Sequence, residues 1–165
     1  MPDTSTEVAL ATTTLSSAAA TITFSSISGS YTDLRLVLVT RDAGAGGILK
    51  LTFNSDTATN YSDTWMRGNG TAAASGRNTT QAYINMQYAT GGASNWGMLT
   101  ADIFNYTGST NKTVLLTNSN DENGSGFVYR QVGLWRSTSA ITSLTITTNS
   151  GTMATGTTAT IYGIN

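Results

Sequence analysis

The chain has no cysteine, no histidine and a single proline, Pro2. Those gaps exclude disulfides, cysteine or histidine nucleophiles, imidazole acid–base chemistry and the usual zinc ligand sets. Charge is scarce as well. Eight Lys and Arg and nine Asp and Glu make up 10 % of the 165 residues, for a net charge of -1. An average soluble domain carries about 25 % charged residues. Eight scattered cations do not form the basic face that gains counterion-release energy, so nucleic acid is not an expected partner. No stretch approaches the roughly 18 apolar residues of a membrane span. Asp3 and Glu7 stand where a signal peptide would be basic, so none is expected.

What fills the space is hydroxyl and glycine. Thirty-two threonines and 18 serines are 30 % of the chain, beside 17 glycines. Such tracts often mark disorder, but hydrophobic residues here reach 39 % and fall in alternation, which a disordered chain has no reason to keep. Threonine is β-branched and suits a half-exposed sheet face.

Period-two spacing predicts strands at 20–27, 33–40 and 48–54, with Leu34, Leu36 and Leu38 on one side of the second and Leu49, Leu51 and Phe53 inward on the third. Both faces of 33–40 are largely apolar, which suggests a central strand with Arg35 near a sheet end. The glycines of Asp42–Gly47 suit a tight turn before the third strand. Further strands are expected at 61–67 (anchored by Trp65), 81–89, 96–106, 112–117, 127–135, 141–147 and 158–164, with loops at 68–80 and 118–126. The threonine-rich tail at 142–160 invites a solenoid reading, but no fixed coil period extends beyond it. The expected fold is all-β: a single antiparallel β-sandwich over 9–165, jelly-roll-like, with about 9–11 strands. Polar residues 1–8 would form a short N-terminal arm able to add a strand to a neighbour.

Carboxylates are the only plausible catalysts, and Asp102 alone falls mid-strand, whereas a glycoside hydrolase needs two across a cleft. No enzymatic activity and no cofactor are expected. Two oxygen-rich loops are weak calcium candidates: Asp121, Glu122 and Asn123, and Asn54, Asp56 and Asn60. Neither has EF-hand spacing, and both also read as solvated turns. Three tryptophans and seven tyrosines could stack on a sugar, with Tyr61, Trp65 and Tyr106 the binding candidates; Trp96 and Trp135 lie in alternating strands, where a buried ring is the commoner role. Six Asn-x-Ser/Thr sequons barely exceed the number this composition produces by chance, about four. A Ser, Thr, Asn and Gly surface loses little side-chain entropy on contact and offers hydrogen bonds without desolvating charge, which suits permanent packing against neighbours.

Several segments, in order, carry a resemblance. They are ATTTLSSAAATITFSSISGSYTDLRLVLV at 11–39, LTFNSDTATNYS at 51–62, GLW at 133–135, SAITSLTI at 139–146 and TTATIYGI at 157–164. Together they resemble a family of small β-sandwich structural proteins from tailed-bacteriophage virions, which occur as capsid cement or decoration proteins and as distal domains of tail fibres. The likeness runs from about Ala9 to Ile164. Ser28-Gly29 stands where the family often has Pro-Gly, and 68–80 does not align. The resemblance implies a non-enzymatic virion protein on the capsid surface, made in the host cytoplasm, contacting the major capsid protein and self-associating, with a trimer the guess. A chain starting at Met1 without fibrous repeats or heptads fits the cement role. The alternatives are a receptor- or glycan-binding head of a tail fibre, or another tail or baseplate component.

Overall fold

A computed structural model describes residues 6–44, 47–87, 93–121 and 123–165. The described residues form twelve strands and no helix: β1 (Glu7–Thr14), β2 (Thr21–Phe24), β3 (Asp33–Thr40), β4 (Leu49–Phe53), β5 (Tyr61–Gly68), β6 (Ala73–Gln81), β7 (Ile84–Met86), β8 (Gly97–Phe104), β9 (Lys112–Asp121), β10 (Gly126–Trp135), β11 (Leu144–Thr148) and β12 (Thr158–Ile164). They make two antiparallel sheets, one of eight strands in the order β1-β12-β3-β8-β9-β10-β5-β6 and one of four in the order β2-β11-β4-β7.

The pairing explains the architecture. First pairs with last, β1 with β12, then β2 with β11, β3 with β8 and β4 with β7, alternating between the sheets. That nested winding is a jelly roll. Two hairpins are inserted into it, β5–β6 between β4 and β7 and β9–β10 between β8 and β11. Both join the same edge of the larger sheet, which therefore extends four strands beyond the jelly roll's own β8.

Alternation decides which side chains the sheets enclose. Leu34, Leu36 and Leu38 of β3 face Leu49, Leu51 and Phe53 of β4 and Leu144 and Ile146 of β11 across one core, all fully buried. Each such side chain contributes about 1.5–3 kcal/mol relative to exposure. At one end of the core the hydroxyls of Thr40 and Thr157 pair with each other at 3.1 Å, satisfying two buried polar groups. Lys112 is fully buried and donates from Nζ to the carbonyls of Gly108 and Thr110, both at 2.6 Å, tying down the β8–β9 connection; burial lowers its pKa.

Several expectations need correction. Residues 68–80 are not a loop, because β6 runs from Ala73 to Gln81; only Asn69–Ala72 turn, closed by the Asn69 side chain on the amides of Thr71 and Ala72. Residues 118–126 are not a loop either, since β9 continues to Asp121 and its Asn118 and Asn120 are buried. The stretch after β3 is no hairpin turn, for β3 and β4 lie in different sheets and the chain crosses between them. Asp42 holds this crossing by accepting from the amides of Gly44 (2.9 Å) and Gly47 (2.6 Å). Trp96 precedes β8 and is 44 % exposed rather than a buried anchor. Residues 1–5 of the expected arm lie outside the described residues, while Glu7 and Val8 already belong to β1, paired with Ile164 and Gly163. The segment 142–160 divides between β11 and β12, in opposite sheets.

Candidate interaction surface

The two tyrosines among the binding candidates are interior. Tyr61 and Tyr106 are fully buried. The Tyr61 hydroxyl accepts from the Phe53 amide at 3.0 Å and donates toward the Asp56 carbonyl at 3.1 Å; burial pushes its pKa up to about 12. The Tyr106 hydroxyl donates to the Ser28 carbonyl, and burial raises its pKa too. Both begin or follow strands that close against the opposite sheet, so their rings fill the core's corners instead of its rim.

The loop after β4 uses its oxygens on itself. Asn54, at φ 51°, accepts from the amides of Thr142 and Ser143 and donates to the Ala140 carbonyl. Asp56 accepts from Asn60 Nδ2 at 3.0 Å, Trp135 Nε1 at 2.7 Å and the Ala58 amide at 2.9 Å. The Asn60 and Trp135 bonds hold its carboxyl below the ordinary carboxylate range. Of the other loop, Glu122 lies outside the described residues, and Asp121 accepts from the Asn123 amide at 2.8 Å. Among the described residues no three of His, Cys, Asp and Glu come together. Asp102, the mid-strand carboxylate, lies on the outer face of β8 and binds Arg35 Nε at 2.6 Å, with Glu7 3.5 Å from the same guanidinium.

On the inner face of the inserted hairpins a polar and aromatic layer replaces the aliphatic core. Trp65 is half-buried, 5.9 Å from the Tyr129 ring, with Arg67 over it at 5.8 Å. Its ring lies directly on Gly76 of the neighbouring strand: a Cβ there would stand 2.5 Å from Cζ2. Gln131 and Asn118 donate to the carbonyls of Asn85 and Gln87, and Asp63 accepts from Asn78 at 2.8 Å. Burial raises the Asp63 pKa against the pull of those bonds. Trp65 thus anchors the hairpin through its own edge strand. Gly76→Val should destabilise by about 1–3 kcal/mol and shift tryptophan emission to the red as the ring is displaced. An unchanged spectrum and urea midpoint would contradict this placement.

Among the described residues no layer covers the outer face of the eight-stranded sheet. Near β1 and β12 it is a lattice of threonines, with Thr12–Thr160 and Thr14–Thr158 hydroxyl pairs at 3.0 and 3.3 Å. Toward the inserted hairpins it turns apolar. Six of the seven exposed large hydrophobic residues among those described, Val39, Met98, Phe104, Val128, Val132 and Met66, stand on strands of this sheet, the last three on β10 and β5. Met66 and Val128 are 62 % and 65 % exposed because the edge strand beside them presents only Ala73 and Ser75. Three arginines lie among them. Register places Arg130 beside Met66 and Arg77 beside Thr64, while Arg136 lines one shallow groove with Arg77 and Val132. These residues were missed as a site because the outward positions of β10 (Val128, Arg130, Val132, Leu134) read as ordinary alternation against Tyr129, Gln131 and Trp135. The signal available was that three of those four outward positions are apolar. No protein-family model matches the chain, and no curated protein is significantly similar to it.

Proposed function

We propose that this chain is a non-enzymatic structural protein of a tailed-bacteriophage virion, of the capsid cement or decoration type, working through contacts with the major capsid protein. The reading rests on the ordered resemblance of segments between Ala9 and Ile164 and on one observation, the broad uncovered face of the eight-stranded sheet. Away from the Arg35 ion pairs and from Arg77, Arg130, Arg136 and Asp121, that face carries threonine and apolar side chains, so covering those stretches orders few long side chains. A protein that binds only the assembled lattice stabilises it by mass action, and many copies multiply a modest energy per site.

A tail-fibre head that binds a receptor or glycan is the second reading. It is favoured by Trp96, which is 44 % exposed and lines a groove with Asn69, Ser119, Asn120 and Asp121, side chains suited to sugar hydroxyls. Copy number separates the two. Quantitative mass spectrometry of purified particles from the virus that encodes the chain should find hundreds of copies per particle. A handful would favour the fibre head, and absence from the particle would overturn both.

A further inference from the structure

We infer that the outer face of β10, β5 and β6 is the docking surface, and that what it docks is an acidic protein surface with an apolar centre. The inference rests on the virion reading above and names the chemistry of the partner.

The argument is one of charge complementarity. This chain has only eight cations, yet Arg77, Arg130 and Arg136 are all exposed around one apolar strip, Met66–Val128–Val132. Their hydrogen bonds go to neutral oxygens: Arg130 Nη1 to Thr117 Oγ1 at 2.7 Å, Arg77 Nε to Thr64 Oγ1 at 3.3 Å, and Arg136 Nη2 to the carbonyls of Thr59 and Tyr61. The ion pairs among the described residues all belong to Arg35. The nearest carboxylates in register on this face are Asp102, bound to Arg35, and Asp121 at the turn end of β9. Methionine and arginine around an apolar centre, without lysine or glutamate, is the composition of a protein interface core. Guanidinium groups with spare donors favour carboxylates, which they bind in a fixed planar fork.

A second copy of the chain is a poor fit to that demand. Asp42 is committed to backbone amides, Asp56 to Trp135 and Asn60, Asp63 to Asn78, and Asp102 to Arg35. Two copies meeting symmetrically through this face would also bring three arginines against three. With Asp33 also engaged, by the Asn105 amide, five of the nine carboxylates are held within the chain, and the proposal takes its partner carboxylates from another protein.

The test uses the full-length chain and capsid shells of the encoding virus stripped of it, with co-sedimentation as the readout. The variants are Arg77→Glu/Arg130→Glu, Met66→Ser/Val128→Ser, and Lys50→Glu on the outer face of the opposite sheet. Circular dichroism and a urea midpoint first establish that each is folded. The arginine reversal should weaken binding about tenfold or more, and the apolar pair should weaken it severalfold. Lys50→Glu should bind as the parent does, and parental binding should fall as salt is raised. Equal binding by the parent and the arginine variant, or loss in Lys50→Glu alone, would overturn the docking face and leave the virion reading standing. Failure of the parent to bind shells at all would overturn both. A dimer or trimer of the free parent that the arginine reversal dissociates would show the occupant to be a second copy and overturn the acidic partner.

Discussion

Trp135→Ala is expected to cost about 3–5 kcal/mol, the range for removing a buried aromatic ring, and to lower the thermal midpoint by about 6–20 °C. Trp135 closes β10 at its register partner Tyr61, the first residue of β5, and is 2 % exposed. Its ring stacks on Tyr61 at 6.2 Å and 15°, and tilts on Phe53 of the opposite sheet at 5.6 Å. These three rings join the inserted strands to the four-stranded sheet, so the cavity left by alanine would sit at a seam between both sheets. The indole N–H also donates to Asp56, and that charge-assisted bond alone is worth about 1.5–3 kcal/mol. Trp135→Phe, which keeps much of the packing and loses the bond, should fall between parent and alanine variant. Urea denaturation measures all three, and a loss below about 1 kcal/mol for alanine would show that the rings do not couple the sheets.

Alkali should destabilise the protein through its buried phenols. Above the ordinary tyrosine pKa of 10.0 the unfolded chain releases the Tyr61 proton, whereas the folded chain holds it to about 12. The native state then binds more protons than the unfolded one, so stability falls with rising pH across that window. A shift of this size corresponds to a loss of about 2–3 kcal/mol, beginning near pH 10 and complete above pH 12. Tyr106 is displaced in the same direction and adds to the loss. Lys112 works the other way. Its pKa is lowered by burial, so the unfolded chain binds the extra proton between that value and 10.5, and stability rises there. Urea midpoints from about pH 9 to about pH 12.5 should show the decline in the parent and a shallower one in Tyr61→Phe. Parallel slopes in the two proteins would refute the assignment.

The strands that could be read from the chain are those with one buried face. In β3, β4 and β12 every second residue enters the core, and their predicted limits differ from the observed ones by no more than one residue. The missed strand β6 is an edge of the larger sheet, where an element is held by backbone bonds to one neighbour. Its Ala, Ser, Gly and Thr side chains have no core to alternate toward. The other edge, β1, has the same character, with no fully buried residue along its length. Polarity misled at Asn118 and Asn120 as well. Asn120 is buried because its own hairpin partner offers the Phe127 amide, and Asn118 because the chain leaving β7 offers the Gln87 carbonyl, 31 residues away. No local pattern announces a partner that distant.

Tyr61, Trp65 and Tyr106 show the same limit at the level of the site. An aromatic ring near a strand end reads alike whether it closes a core or lines a rim, and only the crossing of the opposite sheet decides. The outward residues Met66, Val128 and Val132 were visible as alternation, but their meaning depends on β5 lying beside β10, which joins residues 60 apart at Val128 and Gly68 and 64 apart at Arg130 and Met66.

By itself the sequence determined the all-β class, the aliphatic core and the low charge of the exterior, because period-two spacing and composition are local properties that any strand pairing must respect. Strand number already pointed to a jelly roll, but the tertiary structure alone decided which strands nest in it, the four-strand extension and the clustering of three arginines around an apolar strip. Those depend on which strands become neighbours, and the free energy that selects neighbours is summed over contacts far apart in the chain.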